Sequence, residues 1–196
     1  TCRSPMEMFG SVIKEQYKTS SRKIVSVAIM PCTAKKFEAA RPEFKWDDNQ
    51  QVIDYVITTQ ELIQMIKEAG IVFSEIEPES IDMPFGSISG AGVIFGVTGG
   101  VTEAVIRRVS SDKSLSALRT LAFNGVRGLE GTKEITIEYC GKPLRIGVVS
   151  GLKNADKLIR SIKNGEHFDL VEVMACPNGC INGAGQPFTD RNGIKN

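Results

Sequence analysis

Two segments of the chain carry three of its five cysteines, and in each a methionine precedes a cysteine by two positions. The first reads Met30-Pro31-Cys32-Thr33-Ala34-Lys35-Lys36-Phe37-Glu38, and the second runs from Glu172 to Pro187 and contains Met174, Cys176 and Cys180. Each begins where a β-branched run ends and continues into small or glycine-rich sequence. Thiolates on such loops, where the backbone can come close, are more typical of an inorganic cluster than of a packed core.

The spacing of these cysteines argues against several familiar sites. Three residues separate Cys176 from Cys180, whereas structural zinc sites and thioredoxin-type pairs use two-residue gaps. A radical-SAM cluster needs a third cysteine three places after Cys180, where this chain has Gly183. An iron–sulfur cluster with ligands from distant loops remains, beside the simpler interpretation of three buried structural thiols. Cys2 and Cys140 lack a partner spacing and are interpreted as structural.

Composition and charge narrow the class of protein. The 196 residues include 24 basic and 23 acidic side chains, for a net charge of +1. No basic block suggests nucleic acid as a partner, and no apolar run reaches the roughly 18 residues of a membrane span. The odd number of scattered cysteines does not fit a disulfide framework, so we expect a reducing cytoplasm. Because the sequence starts at Thr1 without a signal-like segment, we interpret it as a piece of a larger soluble protein.

Helices and strands alternate along the chain, which indicates an α/β fold. Ser4-Pro5 predicts a helix start, and Phe9, Val12, Ile13 and Tyr17 then share one helical face. The other predicted elements are strands over 23–30, 55–58 and 170–174, helices after Thr58 and over 102–109 and 153–163, and strands within 120–150 that include a hairpin near Gly141. We expect a mixed, largely parallel sheet flanked by helices, with the cysteine loops at strand carboxyl ends.

Both cysteine segments resemble signatures of one enzyme family. Met-Pro-Cys-Thr-x-Lys-Lys-Phe-Glu-Ala is similar to the second signature of the FeFe-hydrogenase catalytic subunit, and Glu-Val-Met-Ala-Cys-Pro-x-Gly-Cys-x-Asn-Gly-x-Gly-Gln-Pro is similar to the third. Ser4-Pro5, Phe9-Gly10 and the segments 54–59 and 89–96 also resemble connecting parts of that family. The likeness runs from Thr1 to Pro187, so residues 1–196 resemble the C-terminal part of an H-cluster domain.

The resemblance implies a cofactor and its ligands. The H-cluster of that family is a 4Fe-4S cube joined through one cysteine to a two-iron unit that carries CO, cyanide and a dithiolate. By motif position, Cys32, Cys176 and Cys180 would bind the cube. Cys180 would also supply the bridging sulfur.

The same resemblance implies roles for five further residues. Lys35 would donate to a cyanide of the two-iron unit, because a charge-assisted hydrogen bond is strong where water is excluded. Glu38 would fix Lys35 or its loop. The remaining three would surround the two-iron unit with polarizable or apolar groups: Met30, Met174 and Phe95.

The family also has a feature that this sequence lacks. Its first signature, Thr-Ser-Cys-Cys-Pro-x-Trp, lies upstream of the helix that Ser4-Pro5 opens, and it holds the fourth cube ligand and the proton-relay cysteine. We therefore expect the cofactor to be absent or incomplete here, and the piece to be inactive without the upstream lobe of its parent. Met6 stands where many active members carry glutamine. Asn178 and Ala184 replace common glycines, as a divergent sensory subgroup would allow.

The implied function belongs to the parent protein. It is the reversible interconversion of H2 with protons and electrons in an anaerobic cytoplasm, with ferredoxin, NAD or accessory iron–sulfur domains as electron partners. A first alternative is an H2-sensing homologue. A second is a non-hydrogenase relative in cytosolic iron–sulfur assembly, which keeps the cluster cysteines but needs no two-iron pocket; Lys35, Met30 and Met174 together favour the hydrogenase.

Overall fold

The structure, a computed structural model, describes residues 3–87, 89–109 and 131–188. The chain divides into two compact units: the first comprises Thr1–Glu77 and Gly183–Asn196, and the second comprises Pro78–Asn182. Helices and strands alternate through both units, which confirms the expected α/β class. In the described ranges, none of the helices has the length and apolar character needed to cross a membrane.

The first unit is built on a short parallel pair of strands. Its helices are α1 (Pro5–Gln16), α2 (Ala34–Ala39) and α3 (Thr59–Glu68), and its strands are β1 (Val27–Met30), β2 (Lys45–Asp47), β3 (Gln50–Gln51) and β4 (Tyr55–Thr58). Strands β1 and β4 are parallel, with Met30 beside Thr58, while β2 and β3 form a small antiparallel pair. The core residues of this unit are Met6, Ala28, Ala39, Val52 and Ile53.

Both predicted helix starts of this unit are confirmed by their caps. Ser4 caps α1 by accepting the Glu7 N–H at 3.4 Å. At α3, Thr58 accepts the Glu61 N–H at 3.2 Å, and the Glu61 carboxylate accepts the Thr58 N–H at 2.7 Å. This reciprocal pair is a capping box, and it explains why a helix starts after Thr58.

Helix α1 buries a different face from the apolar one that its sequence indicates. Phe9 and Val12 are 49% and 50% exposed, whereas the buried residues are Met6, Glu7, Gly10 and Lys14. The cause is close packing at Gly10, where a Cβ atom would stand 2.5 Å from Ile53 Cδ1. The absence of a side chain there lets α1 approach the core along its glycine face.

A buried ion pair joins α1 to the segment before β4. Lys14 Nζ lies 2.7 Å from Asp54 Oδ2 and donates to the Ile24 carbonyl at 3.1 Å. The same carboxylate accepts the Ser26 N–H at 2.7 Å. Because the Lys14 side chain is only 2% exposed, its ammonium depends on these two acceptors in place of water.

The second unit contains a three-stranded sheet. Its helices are α4 (Gly90–Val93), α5 (Gly100–Val109) and α6 (Leu152–Lys163), and its strands are β5 (Thr132–Tyr139), β6 (Lys142–Ser150) and β7 (Leu170–Met174). Strands β5 and β6 form the predicted hairpin, which turns through Cys140 and Gly141 at positive φ. Strand β7 runs parallel to β6 and places Met174 beside Ser150.

Two predicted strand regions differ in detail. The strand predicted over 23–30 begins at Val27 and is only half-buried, with Ala28 inside and Val27 and Ile29 exposed. Of the strands predicted within 120–150, the part over 120–130 lies outside the described residues. Within the described ranges the strands form three small sheets, two of which contain a parallel pair.

We predict that Lys14→Met lowers the free energy of unfolding of the first unit by about 3 kcal/mol, because it leaves Asp54 without its counter-charge. Lys18→Met is the matched control, since Lys18 pairs with Glu15 in solvent, and it should cost less than about 1 kcal/mol. Urea unfolding followed by the fluorescence of Trp46, which packs on the core of this unit, measures both. Equal losses in the two variants would contradict the prediction.

Candidate functional site

Cys32 lies at the carboxyl end of the parallel pair in the first unit. It follows Met30, the last residue of β1, and precedes α2, which carries Lys35 in its first turn. Cys32 and Met30 are both half-buried. The neighbouring strand continues directly from Thr58 into α3, so the thiol loop and a helix start share one edge of the sheet.

Lys35 and Glu38 form an ion pair one turn apart on α2. Burial raises the pKa of Glu38, but hydrogen bonds from Lys35 and Ser4 outweigh it and hold the pKa of that carboxyl below its ordinary value. Glu38 is therefore a carboxylate at neutral pH and holds the Lys35 ammonium. This is the contact that the role expected for Glu38 requires, although the role of either residue toward a cofactor stays a prediction.

The end of the second cysteine segment lies in the first unit and contacts the Cys32 loop. Gly185 donates its N–H to the Pro31 carbonyl at 3.1 Å, and its own carbonyl accepts the Gln60 N–H at 3.0 Å. A Cβ atom at Gly185 would stand 2.9 Å from the Cys32 nitrogen and 3.0 Å from Thr58 Cβ. A glycine is needed at this position because two backbones meet there.

Cys176 and Cys180 lie in a tight loop after β7 in the second unit, and both are half-buried. The loop turns through Asn178 and Gly179, whose φ angles are 65° and 96°. The Cys176 carbonyl accepts the Gly179 N–H at 3.1 Å. Asparagine tolerates left-handed backbone better than most residues, so the replacement of a common glycine by Asn178 preserves this turn.

The loop packs against the segment that contains Phe95. A Cβ atom at Gly179 would stand 2.6 Å from the Thr98 nitrogen and 2.7 Å from the Gly96 oxygen, so the two backbones are in direct contact. The half-buried Phe95 lies in a 3-10 turn, Ile94–Gly96, just before that contact. In the same unit, the Cys180 thiol lies 3.7 Å from the Sδ of the buried Met174.

The predicted ligands are divided between the two units, with Cys32 in the first and Cys176 and Cys180 in the second. Within the described part of each unit, no three His, Cys, Asp or Glu side chains form a metal-binding group. The convergence of all three thiols on one cluster stays a prediction. The donor set fits such a cluster, because all three are half-buried thiols outside any disulfide, on loops that follow parallel strands.

Glu172 supports the second loop, and sequence reasoning missed it. Its carboxylate accepts the Gly99 N–H at 2.6 Å, and the Thr102 N–H and hydroxyl both at 2.8 Å. It thereby binds the N-terminus of α5 to β7, two residues before Met174. The available signal was a carboxylate inside an otherwise apolar strand, which requires a partner when the strand packs.

Glu7 is a second residue that the sequence did not single out. Its side chain is 0% exposed, and among the described residues neither carboxyl oxygen has a hydrogen-bond partner. Burial raises the pKa of Glu7, and the negative charge of Glu38 raises it further, against the opposing effects of Arg3 and Lys35. A titratable acid thus lies next to the Lys35–Glu38 pair.

His167 and Cys140 lie at exposed positions outside the two cysteine loops. His167 is 81% exposed and lies 3.2 Å from an Asp169 carboxylate oxygen. Cys140 is exposed in the hairpin turn. Cys2 lies outside the described residues.

Known proteins resemble the chain over nearly its full length. The family profile "Iron only hydrogenase large subunit, C-terminal domain" matches residues 1–184. The NADP-reducing hydrogenase subunit HndD of Solidesulfovibrio fructosivorans is 44% identical over 96% of this chain and 33% of its own length. Cytosolic iron-sulfur assembly component 3 of Rattus norvegicus is 35% identical over 95% of this chain and 41% of its own length.

A solved structure shares the fold as well. An apo FeFe-hydrogenase variant from Chlamydomonas reinhardtii superposes with a TM-score of 0.70 at 34% identity, covering 97% of this chain and 56% of that chain. The chain thus spans about a third of the length of the first curated relative and about half of the solved one.

We predict that Glu172→Gln weakens the junction of α5 and β7, since an amide presents N–H donors where the carboxylate accepts three hydrogen bonds. The loss should be about 1.5–3 kcal/mol, seen as at least tenfold faster hydrogen exchange at the Gly99 and Thr102 amides. Glu166→Gln serves as control, because Glu166 is a 49% exposed partner of Arg145 in the same unit. Unchanged exchange at both amides would show that the carboxylate does not hold α5.

We predict that Glu7→Gln stabilises the first unit at neutral pH. The pKa of Glu7 in the folded state is raised above its ordinary value of 4.5. The protonated carboxyl therefore stabilises the folded state below pH 4.5, and this stabilisation is lost as the pH rises through the raised pKa. Glutamine cannot ionise, so the variant should have a higher free energy of unfolding than the wild type above this range. Urea midpoints at several pH values test this, with the exposed Glu15→Gln as control; a pH-independent difference would contradict it.

Proposed function

The chain belongs to the family of the iron-only hydrogenase large subunit, C-terminal domain, and from that premise we propose that its cysteine loops hold part of the active-site cofactor of a hydrogenase. One observation carries the proposal: in both units a parallel strand ends on a methionine, and a cysteine follows two residues later. The parent protein would interconvert H2 with protons and electrons, and this piece would supply one portion of its H-cluster domain.

In this proposal, Cys32, Cys176 and Cys180 would hold the 4Fe-4S cube, and Cys180 would also be a ligand of the two-iron unit that carries CO, cyanide and a dithiolate. When bound, the cofactor supplies the redox chemistry of H2. The support is the donor chemistry, since cubes are held by thiolates and these three lie on loops shaped by close backbone contacts at Gly179 and Gly185. The fourth ligand and a proton donor would come from the upstream signature, so the piece alone should hold an incomplete cofactor and turn over no H2.

Lys35 would donate a charge-assisted hydrogen bond to an anionic cyanide ligand. An ammonium has three N–H donors, so Lys35 can keep Glu38 as one partner and bind a second acceptor. Its side chain is 24% exposed, and that of Glu38 is 18% exposed, so this charge is only partly screened by water. Glu38, held in turn by Ser4, would act as the positioning residue for Lys35.

Met174, Met30 and Phe95 would form the apolar surroundings of the two-iron unit. The buried Met174 already contacts the Cys180 thiol, which favours a dry environment around that sulfur. Met30 occupies the equivalent position at the end of β1 and is half-buried. These side chains would exclude water and thereby strengthen the hydrogen bond of Lys35.

Two other functions compete with this one. An H2-sensing homologue would keep the same residues, and Met6 in place of a common glutamine suits it. A cytosolic iron–sulfur assembly factor has a named relative at lower identity, but such a protein needs no cyanide donor. Lys35 with its half-buried carboxylate partner Glu38 therefore favours a hydrogenase-type site. We expect a cytoplasmic parent with a ferredoxin- or NAD-linked electron partner.

We predict that Lys35→Ala in the parent protein abolishes or severely reduces H2 evolution with a chemical reductant while the cube is retained. Losing the charge-assisted bond, about 1.5–3 kcal/mol, should also weaken retention of the two-iron unit at least tenfold. Infrared bands of the CO and cyanide ligands and iron content per chain measure this. The control is Lys67→Ala, an exposed lysine near the end of α3.

Cys176→Ser should differ from Lys35→Ala, because it removes a cube ligand and should lose the whole assembly. Wild-type turnover in Lys35→Ala would refute the cyanide-donor role. A parent that binds a cube but never acquires CO and cyanide bands would instead favour the assembly-factor function.

A further inference from the structure

Gln60 makes two hydrogen bonds to consecutive carbonyls near the end of the described chain. It is the second residue of α3, and its N–H is one of the helix-terminal groups that lack a partner within the helix. The Gly185 carbonyl accepts that N–H at 3.0 Å, and the Gln186 carbonyl accepts Gln60 Nε2 at 2.6 Å. Both backbone and side chain of one residue therefore hold the segment that follows Cys180.

The held segment lies directly on the Cys32 loop. The Gly185 N–H donates to the carbonyl of Pro31, the residue before Cys32, at 3.1 Å. A Cβ atom at Gly185 would stand 2.9 Å from the Cys32 nitrogen, so the backbones of the two residues are in close contact. Gly185 is thus bonded on one side to Gln60 and on the other to the peptide that enters Cys32. We call this arrangement of Gln60, Gly185, Gln186 and Pro31 the Gln60 latch.

The start of α3, which carries Gln60, is stabilised by a capping box and by an ion pair to α2. Thr58 and Glu61 form the capping box on either side of Gln60. The hydrogen bond from Lys36 and that from the Thr58 N–H lower the pKa of Glu61 to about 2, so the cap stays ionised at neutral and mildly acidic pH. Lys36 belongs to α2, the helix that follows Cys32, and its ion pair with Glu61 joins the two helices.

We propose that Gln60 is a positioning residue for the Cys32 thiolate, acting through Gly185 and the Pro31 carbonyl. Outer-shell groups that orient a metal ligand typically change metal retention 10–100-fold when they are removed. The latch also anchors the end of the short segment from Cys180, from which four residues separate Gly185. The identity of what Cys32 binds rests on the proposed function, whereas the latch is a property of this chain alone.

The first arm of the test uses the 196-residue chain without a cluster. Gln60→Met keeps the length of the side chain but removes its donor, and the Gly185 amide should then exchange about fivefold faster. Gln64→Met is the matched control, since Gln64 lies one turn further along α3 and its side chain donates to the exposed Glu68 at 2.7 Å. Equal exchange of the Gly185 amide in both variants would overturn the proposal. Gln60→Glu, whose carboxylate cannot donate, is the second variant should Gln60→Met not fold.

The second arm uses the parent protein with its cube. Gln60→Met should lose cube iron to a chelator 10–100-fold faster than Gln64→Met, with a changed electron paramagnetic resonance signal of the reduced cube at an unchanged thermal midpoint. Faster exchange of Gly185 with wild-type cube behaviour would show that the latch does not position Cys32, and the proposal would fall. If the wild-type parent binds no cube, the proposed function fails instead, and the assignment of Cys32 as a positioned ligand fails with it.

Discussion

The parallel pairing of two strands, with a fixed register, is the constraint on which each unit depends. In the first unit it sets Met30 beside Thr58, and in the second it sets Met174 beside Ser150. Thr58 caps α3, and Ser150 donates to the Cys176 carbonyl at 3.5 Å. A shift of one residue would turn every side chain of a strand to the other face. The register therefore determines where the methionine side chain, the cysteine loop and the start of the following helix lie.

The predictable parts of this fold are those encoded by local chemistry. The caps at Ser4 and Thr58 follow from side chains that bond to their own helix, and the strand ending at Met174 follows from β-branched residues. The buried face of α1 did not follow, because apolar character at Phe9 was outweighed by the close approach that Gly10 permits. Hydrophobic periodicity shows that a helix has two faces, but packing selects the buried one.

In the candidate site, too, some residues could be predicted from the sequence and others could not. The thiols stand out because cysteines recur at short spacing after methionines, and Lys35 and Glu38 are assigned only through the resemblance of the Cys32 segment to a family signature. Glu172 and Gln60 do not stand out, since their partners lie 70 and 126 positions away and are mostly backbone groups that leave no mark in the sequence. The supporting hydrogen bonds of a ligand loop are therefore harder to predict than the ligands, although they determine where the ligands lie.

The first unit is discontinuous in sequence, since it is completed by the segment that begins at Gly183. On the ribosome, this segment follows the entire second unit, and the closure between Gln60 and Gln186 spans 126 positions. The entropy of such a loop is lost only when that contact forms, so the Cys32 loop acquires this backbone partner only after the second unit has been synthesised. Assembly of a cofactor on this chain would then have to wait until the glycine-rich segment after Cys180 has emerged from the ribosome.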